Sequence, residues 1–386
     1  MLLPHLNPNL ADEDELVPGP VSSVASTPHE QWLPEPKLWR PKRVLVTPAA
    51  LGFAHGRAIL ERSAAFGADI VELKANRLSG LGEGDPRRAY INAKSTLAVV
   101  VAPPSKRRLQ PIPPSADWRF DLAEGCPAHC QYCYLAGSLS GPPITRVYAN
   151  LPEILDGLTD QVGRGQVTSA SKARAGEGTT FEASCYTDPL GIEHLTGSLA
   201  ATIGHFGAWQ APVQLRFTTK YDGVEPLLGI DHGRRTRIRF SVNAEPAARF
   251  EGGTASVAAR LHAMRRVAQV GYPVGLTLAP IMPVPNWREA YDALLRQVAA
   301  ALADVPALDL SVELITHRFT PGSKTVLNGW YKGSSLEMDE KARARKTTKF
   351  GSTKFVYPPD LMRERRAFFE QSVATHLPSA RILYWT

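Results

Sequence analysis

The sequence predicts an α/β protein whose main part is a partial TIM-type (β/α)6 barrel. Six short apolar runs between residues 118 and 314 have the length of buried strands, and helical patterns separate them. Strands that alternate with helices form parallel sheets, and six such units indicate a barrel-like sheet. A small α/β unit is expected before this barrel, and a hairpin followed by a helix is expected after it.

The barrel strands are predicted from runs rich in Val, Ile, Leu, Phe and Thr. They cover residues 118–122, 180–184, 213–218, 237–242, 274–279 and 308–314. Helices are predicted from the apolar periodicity near 151–162, 194–206, 254–270 and 286–303, with a shorter one near 222–229. In such sheets the loops after the carboxyl ends of the strands carry the chemistry, so site residues are sought there.

The chain is expected to have four segments. Residues 1–40 are rich in Pro, Ser, Asp and Glu without an apolar period, which predicts a disordered tail. Residues 41–115 alternate strand and helix patterns and predict the small N-terminal α/β unit. The barrel is expected over 116–320, and a basic hairpin, a helix and a last strand are expected over 321–386.

Composition narrows the class of protein. Apolar residues make up 44% of the chain and charged residues 21%, which is typical of folded globular proteins. The chain has neither the pattern of a signal peptide at its start nor an apolar run of spanning length, so a cytoplasmic protein that does not enter membranes is expected. The excess of 44 Lys and Arg over 37 Asp and Glu favours polyanions only weakly. A monomer is the default expectation.

Three of the four cysteines lie within eight residues, in the segment CPAHCQYC. That layout suits a metal site better than a disulfide framework. Cys126, Cys130 and Cys133 offer soft thiolates for an iron-sulfur cluster, and three local ligands for a four-iron cluster leave one position open to a substrate. The alternative is a structural zinc, with His129 or Cys185 as its fourth ligand.

The fourth cysteine, Cys185, follows the second predicted barrel strand. A single free cysteine is in general a small buried apolar residue. The position at the carboxyl end of a strand, beside Thr187 and Asp188, favours a chemical role instead.

The cysteine triplet and its following aromatic residue, CPAHCQYCYL, resemble the CxxxCxxC signature of the radical-SAM superfamily. Further segments resemble the spore photoproduct lyase family, in the same order from about residue 40 to the end of the chain. They are INAKSTL, FEASCYTDPLGIEHLT, LRFTTK, RFSVN, GYPVGLTLAPI and ELITHRFT. The triplet alone would indicate the superfamily, whereas the ordered set indicates this family or a near relative.

The resemblance implies a DNA-repair lyase with a [4Fe-4S] cluster and S-adenosylmethionine as cofactors. In that family an electron from the cluster cleaves S-adenosylmethionine, and the 5′-deoxyadenosyl radical takes a hydrogen atom from C6 of 5-thyminyl-5,6-dihydrothymine. This lesion is a thymine dimer made by ultraviolet light, and it then separates into two thymines. The implied partners are UV-damaged DNA and an electron donor such as flavodoxin or ferredoxin.

The resemblance also implies roles for individual residues. Cys185 would return a hydrogen atom to the thymine radical, and Tyr132 and Tyr134 would relay one back to deoxyadenosine, unless these rings only pack around the cluster. The family's cofactor positions carry over to Thr187, Lys220, Ser241 and Ala279. For Lys220 the alternative is an ordinary solvated lysine.

The basic run KARARKTTKFGSTKF, over residues 341–355, predicts a DNA-binding hairpin through Lys349, Phe350 and Lys354. The alternative is a solvated run of charge. The family hairpin typically carries Arg then Tyr at the positions of Lys349 and Phe350, so this chain loses bidentate phosphate binding and a hydroxyl contact. The identity of the lesion is therefore less constrained than the radical chemistry.

Two other functions remain open at this point. One is a radical-SAM enzyme of the same family that acts on a different lesion or substrate. The other is a non-catalytic, zinc-containing nucleic-acid-binding protein. Iron content separates the last function from the other two, and analysis of the reaction products separates the first pair.

Overall fold

The structure is a computed structural model that describes residues 35–79, 81, 85–138, 142–347, 351 and 353–386. Most of the expected N-terminal tail lies outside these residues. Residues 36–386 form one compact unit. Within the described ranges, no helix has both the length and the apolar character needed to cross a bilayer.

The strands of the described chain fall into two larger sheets and two short ribbons. In chain order they are β1 (Arg43–Val46), β2 (Asp69–Glu72), β3 (Thr96–Val100), β4 (Gln110–Ile112), β5 (Ala116–Phe120), β6 (Ala123–Glu124), β7 (His129–Cys130), β8 (Thr145–Tyr148), β9 (Thr179–Ala183), β10 (Val213–Thr219), β11 (Thr236–Val242), β12 (Glu251–Gly252), β13 (Val274–Ile281), β14 (Leu310–Thr316), β15 (Ala344–Thr347), β16 (Thr353–Val356) and β17 (Arg381–Trp385).

The α-helices of the same residues lie mostly between the strands of the larger sheet. They are α1 (Pro48–Leu51), α2 (Ala54–Ala65), α3 (Pro86–Lys94), α4 (Pro104–Arg107), α5 (Leu151–Asp156), α6 (Glu193–Thr196), α7 (Ser198–Ala208), α8 (Glu245–Ala248), α9 (Val257–Gln269), α10 (Trp287–Leu302), α11 (Pro321–Trp330) and α12 (Pro359–His376).

The predicted partial barrel is confirmed by the larger sheet, whose order is β4, β5, β9, β10, β11, β13, β14, β17. Six of these strands, β5 to β14 in that order, correspond to the six predicted runs and are parallel. Strand β17 adds a parallel edge strand beside β14, and β4 adds an antiparallel one beside β5. The last strand of the chain therefore extends the barrel sheet.

Side chains of the barrel strands alternate between an apolar face and a polar face. Leu215, Phe217 and Phe240 are fully buried in the apolar core that the strands share with the helices. On the polar face, Arg239 of β11 pairs with Glu182 of β9 at 2.7 Å and with Glu313 of β14 at 3.0 Å. Since these carboxylates come from opposite sides of β11, their charges meet inside the curled sheet. Buried charges are tolerated there because each has a partner of opposite sign.

The N-terminal sheet has the order β2, β1, β3, β8, β6. Its first three strands lie in the segment 41–115, where the sequence predicts alternating strand and helix patterns. Strands β8 and β6 come from the segment that was expected to form the barrel, and β8 was not predicted. The loop with the cysteine triplet therefore leaves the N-terminal sheet after β6 and returns to it at β8, and these two strands fix where the loop lies.

Two predicted helices are shorter than expected. The helix near 151–162 ends at Asp156 before Gly157 and continues only as a 3₁₀ turn over Thr159–Gln161. The short helix predicted near 222–229 was wrong, because only a 3₁₀ turn over Glu225–Leu227 forms there. Proline at 226 suits the first turn of a helix, and a single turn follows without extension.

Candidate active site

The cysteine triplet lies in a loop that follows β6 and is held from two sides. The ammonium of Lys94, at the end of α3, donates to the carbonyl oxygens of Cys126 and Ala128, each at 2.6 Å. On the other side, β7 pairs with β12 and the Gln131 amide donates to the Phe250 carbonyl at 2.9 Å. The loop therefore has a fixed backbone, as a site with several ligands requires.

All four cysteines are free thiols. Burial raises the pKa of the Cys126 thiol to about 12, whereas Lys94 acts to lower it. Burial likewise raises the pKa of Cys130, and Lys220 acts against it. Two ammonium groups thus stand near thiols that become anionic when they bind metal. The donor set fits an iron-sulfur cluster held by three thiolates.

The zinc alternative requires a fourth ligand beside the three cysteines. Among the residues that the structure describes, no group of three or more His, Cys, Asp or Glu side chains is arranged to hold a single metal ion. Each of the two candidates for this fourth ligand has a polar neighbour. His129 Nδ1 lies 3.1 Å from the Tyr90 hydroxyl, and Cys185 Sγ lies 3.4 Å from Arg119 Nη1.

Three of the predicted cofactor-binding residues meet at one ammonium group. Lys220 Nζ donates to Ser241 Oγ at 2.7 Å and to the Ala279 carbonyl at 3.1 Å. Lys220 directly follows β10, Ser241 lies near the end of β11, and Ala279 lies in β13. Because these strands are adjacent and parallel, the three residues lie side by side.

The backbone at Lys220 is fixed by a buried carboxylate. Asp188 accepts a hydrogen bond from the Lys220 amide at 2.7 Å and one from Thr219 Oγ1 at 2.8 Å. Burial raises the pKa of Asp188 to about 6, although these hydrogen bonds act to lower it. The fourth predicted residue, Thr187, has a buried hydroxyl oxygen without a hydrogen-bond partner in the described part of the chain. Buried hydroxyls are normally paired, so this oxygen is available to a ligand.

Glu251 was missed by the sequence reasoning. Its carboxylate pairs with Lys220 at 2.9 Å and with Arg260 at 2.6 Å, and it accepts a hydrogen bond from the Tyr132 hydroxyl. Burial acts to raise the pKa of Glu251, but Lys220 and Arg260 outweigh it and keep that pKa below its ordinary value. The residue stands in the loop sequence FEGGT, which carries no recognisable chemical pattern. Tyr132 is thereby connected to the lysine of the predicted cofactor site.

Cys185 and Tyr134 are brought into contact at the end of β9. The Tyr134 hydroxyl donates to the Cys185 carbonyl oxygen. Ser184, just before the cysteine, has a φ of +57°, a left-handed conformation that turns the chain sharply after the strand. Burial raises the pKa of Cys185 to about 12, so its sulfur carries hydrogen at neutral pH.

The predicted DNA-binding hairpin is present as β15 and β16. It is attached to the barrel by a pair of backbone hydrogen bonds between Phe319 and Phe355, of 3.2 and 2.8 Å. Burial lowers the pKa of Lys354, and so do the neighbouring charges of Arg318 and Lys346. Within the described ranges these three cations have no carboxylate partner. Lys349 and Phe350 lie outside the described residues.

Comparisons with known proteins agree over nearly the whole chain. The family model for spore photoproduct lyase matches residues 39–386. The chain is 39% identical to the spore photoproduct lyase of Geobacillus sp. (strain Y412MC61) over 349 residues, which cover 90% of this chain and 98% of the relative. It is 37% identical to that of Bacillus subtilis (strain 168) over 348 residues, with the same coverage of both chains.

Solved structures give the same result. A spore photoproduct lyase complexed with dinucleoside spore photoproduct matches with a TM-score of 0.83 and 36% identity, over 91% of this chain and 100% of that chain. A mutant with bound AdoMet and the same dinucleoside matches with the same values. These likenesses confirm the resemblance inferred from the sequence segments. The chain belongs to the spore photoproduct lyase family.

Proposed function

We propose that this protein is a radical-SAM DNA-repair lyase that converts the spore photoproduct, 5-thyminyl-5,6-dihydrothymine, to two thymines. The observation that carries the proposal is the convergence of three groups at the carboxyl ends of the barrel strands. These groups are the cysteine loop, the cluster around Lys220, and the contact of Cys185 with Tyr134. Relatives of this size and fold bear the name spore photoproduct lyase, and one was solved with both AdoMet and the dinucleoside lesion.

Cys126, Cys130 and Cys133 would hold a [4Fe-4S] cluster, with Lys94 and Lys220 offsetting the charge of the thiolates. When bound, the cluster supplies the electron that cleaves S-adenosylmethionine and thereby yields the 5′-deoxyadenosyl radical that takes the C6 hydrogen of the lesion.

S-adenosylmethionine would be bound beside the cysteine loop by the four predicted residues. The ammonium of Lys220 suits the carboxylate of the amino acid part, while the hydroxyls of Ser241 and Thr187 suit polar groups of the ribose. The backbone at Ala279 suits the adenine. Glu251 holds Lys220 in place through a buried ion pair, so the ammonium does not need to be ordered when the cofactor arrives.

Cys185 would complete the repair by hydrogen-atom transfer. Its S–H bond breaks and a C–H bond forms on the thymine radical, which leaves a sulfur-centred radical on the cysteine. The high pKa of this thiol supports the role, since a thiolate has no hydrogen atom to give. Tyr134, whose hydroxyl contacts the carbonyl oxygen of Cys185, would restore the hydrogen on sulfur, and Tyr132 would carry the relay towards the cofactor.

The substrate would be UV-damaged DNA, held in part by the hairpin. Lys354, with Arg318 and Lys346 beside it, would contact phosphate groups of the opened strand, and Lys349 and Phe350 would contribute by their place in the family hairpin. We further propose a cytoplasmic monomer that receives electrons from a flavodoxin or ferredoxin.

The test is anaerobic reconstitution with iron and sulfide, followed by dithionite, S-adenosylmethionine and an oligonucleotide that contains the photoproduct. Recovery of thymine supports the proposed lyase. Formation of 5′-deoxyadenosine without thymine would keep the radical chemistry and favour another lesion, which the altered residues Lys349 and Phe350 permit. A protein that binds zinc but no iron would overturn the proposal.

A further inference from the structure

The sulfur of Cys185 has a cationic neighbour that no motif of the sequence indicates. Arg119, in β5, places its Nη1 atom 3.4 Å from Cys185 Sγ. Its Nη2 atom donates to Gln110 Oε1, and its guanidinium lies 4.5 Å from the centre of the Tyr186 ring. Gln110 is the partner of Arg119 across the β4–β5 pairing. The guanidinium is thus held from three directions, so the N–H group that meets the sulfur has a fixed position.

A fixed cation beside a thiol has two effects that oppose each other in a hydrogen-atom donor. It occupies a lone pair of the sulfur, which limits the directions that the S–H bond can take. It also stabilises the thiolate over the thiol, and the thiolate cannot donate a hydrogen atom. Arg119 alone would therefore orient Cys185 and at the same time favour its inactive form.

Asp121 lines the same cavity as Arg119, and its carboxylate offsets the second effect when it is ionised. It follows β5 directly, and its Oδ1 atom is buried without a hydrogen-bond partner in the described chain. Burial raises the pKa of Asp121 to about 7, and Arg119 acts to lower it. After burial, Asp121 is the group that most raises the pKa of Cys185. Glu182 acts in the same direction, but its carboxylate is already paired with Arg239 at 2.7 Å.

We propose that Arg119 and Asp121 are a positioning pair for the Cys185 thiol. Arg119 fixes the direction of the S–H bond, and Asp121 keeps the hydrogen on the sulfur. Both side chains line a cavity of about 230 Å³ together with Tyr186, the residue that follows Cys185 in the sequence. This inference rests on the proposed function of Cys185 as the hydrogen-atom donor.

The first measurement needs no lesion. In the reconstituted holoenzyme the cluster would engage three of the four cysteines, so alkylation by iodoacetamide followed by mass spectrometry reports on Cys185. Between about pH 7 and 9 the rate follows the small thiolate fraction. Arg119→Gln is expected to slow alkylation and Asp121→Asn to speed it, each by about threefold or more, which corresponds to a pKa change of about half a unit.

The second measurement follows the products of the reaction. Arg119→Gln is expected to lower the share of intact thymine among the products, while 5′-deoxyadenosine forms at the wild-type rate. Arg119→Lys separates the two effects, because lysine keeps the charge and loses the planar fork. It is expected to restore the alkylation rate but not the thymine share. Arg108→Gln is the matched control, since Arg108 lines the same cavity without contacting Cys185.

If neither Arg119→Gln nor Asp121→Asn changes the alkylation rate of Cys185, the proposed positioning role of the two residues is wrong. A thymine share in Arg119→Gln and Arg119→Lys equal to that of the wild type would also overturn it. A failure of the proposed function has a different signature: the wild-type protein would yield no thymine, while the alkylation rates of the variants would still shift in opposite directions.

Discussion

Lys220 and Glu251 form a buried ion pair of 2.9 Å, in which the lysine side chain is 16% exposed and the glutamate side chain is fully buried. The pair connects the predicted cofactor site to the short strand that holds the cysteine loop, because β12, which begins at Glu251, pairs with β7 at Cys130. Tyr132 joins the same carboxylate. Glu251 therefore contacts the cysteine loop and also the lysine of the predicted cofactor site.

Glu251→Gln is expected to destabilise the fold by about 3 kcal/mol, because it leaves the cations of Lys220 and Arg260 buried without their counter-charge. The free energy of unfolding, from chemical denaturation of the protein without cofactors, is the quantity to measure. Glu364→Gln provides the matched control, since it breaks an exposed ion pair with Arg288 and should cost less than about 1 kcal/mol. Equal losses of unfolding free energy in the two variants would mean that the buried ion pair stabilises the protein no more than the exposed one.

Cys185→Ala and Cys130→Ala are expected to separate the two cysteine roles. Cys185→Ala should retain its iron and its formation of 5′-deoxyadenosine, yet lose clean recovery of thymine, because the thymine radical then takes hydrogen from other donors. Cys130→Ala should lose iron and all activity. Iron content and product analysis on both variants are the measurements. Normal thymine recovery from Cys185→Ala would remove the cysteine from the donor role.

The barrel was predictable because its strands are short buried runs rich in apolar residues and its helices are amphipathic, so the pattern of apolar residues distinguishes the two. The bounds of β5 and β9 were placed within two residues of their positions. Strand β8 was missed because it has only four residues, TRVY, and its Thr and Arg interrupt any apolar run.

The site was predictable only where a residue stands at a strand end or within a family segment. Lys220, Ser241 and Ala279 meet both conditions, and the structure brings them together. Glu251 and Arg119 meet their partners through tertiary packing, and neither lies in a segment with a recognisable spacing. Charge pairing across a barrel depends on which strands become neighbours, and a single sequence does not report that directly.

Lys354→Ala is expected to weaken binding of a DNA oligonucleotide and to lower the slope of log affinity against log salt concentration by about 1. The variant should not lose stability, since Lys354 lies beside Arg318 and Lys346 and is repelled by both. Fluorescence anisotropy at several salt concentrations, with a thermal melt of each protein, measures the two effects. Lys74→Ala is the control, because Lys74 is an exposed lysine that follows β2. An unchanged salt slope in Lys354→Ala would contradict the phosphate contact.

Asp117→Asn tests how the loop before β9, which contains Val167 and Thr168, is held. The Asp117 carboxylate accepts hydrogen bonds from the amides of Val167, Thr168 and Thr180, at 2.8, 2.7 and 3.0 Å, and from the Thr168 hydroxyl at 2.7 Å. Burial acts to raise its pKa, but these hydrogen bonds prevail and lower the pKa from 3.8 to about 2. Replacing the charged acceptor with an amide is expected to destabilise the protein by about 1–3 kcal/mol at neutral pH.

The pH dependence of that loss has a definite sign. A carboxyl group with a lowered pKa stabilises the fold above its ordinary pKa, and the stabilisation is lost as the pH falls through the lowered value. The difference in unfolding free energy between the wild type and Asp117→Asn should therefore be constant above about pH 5 and shrink as the pH falls from about 4 towards 2. Urea denaturation at a series of pH values measures it. A difference that persists undiminished at the acid end would show that Asp117 acts through its shape rather than its charge.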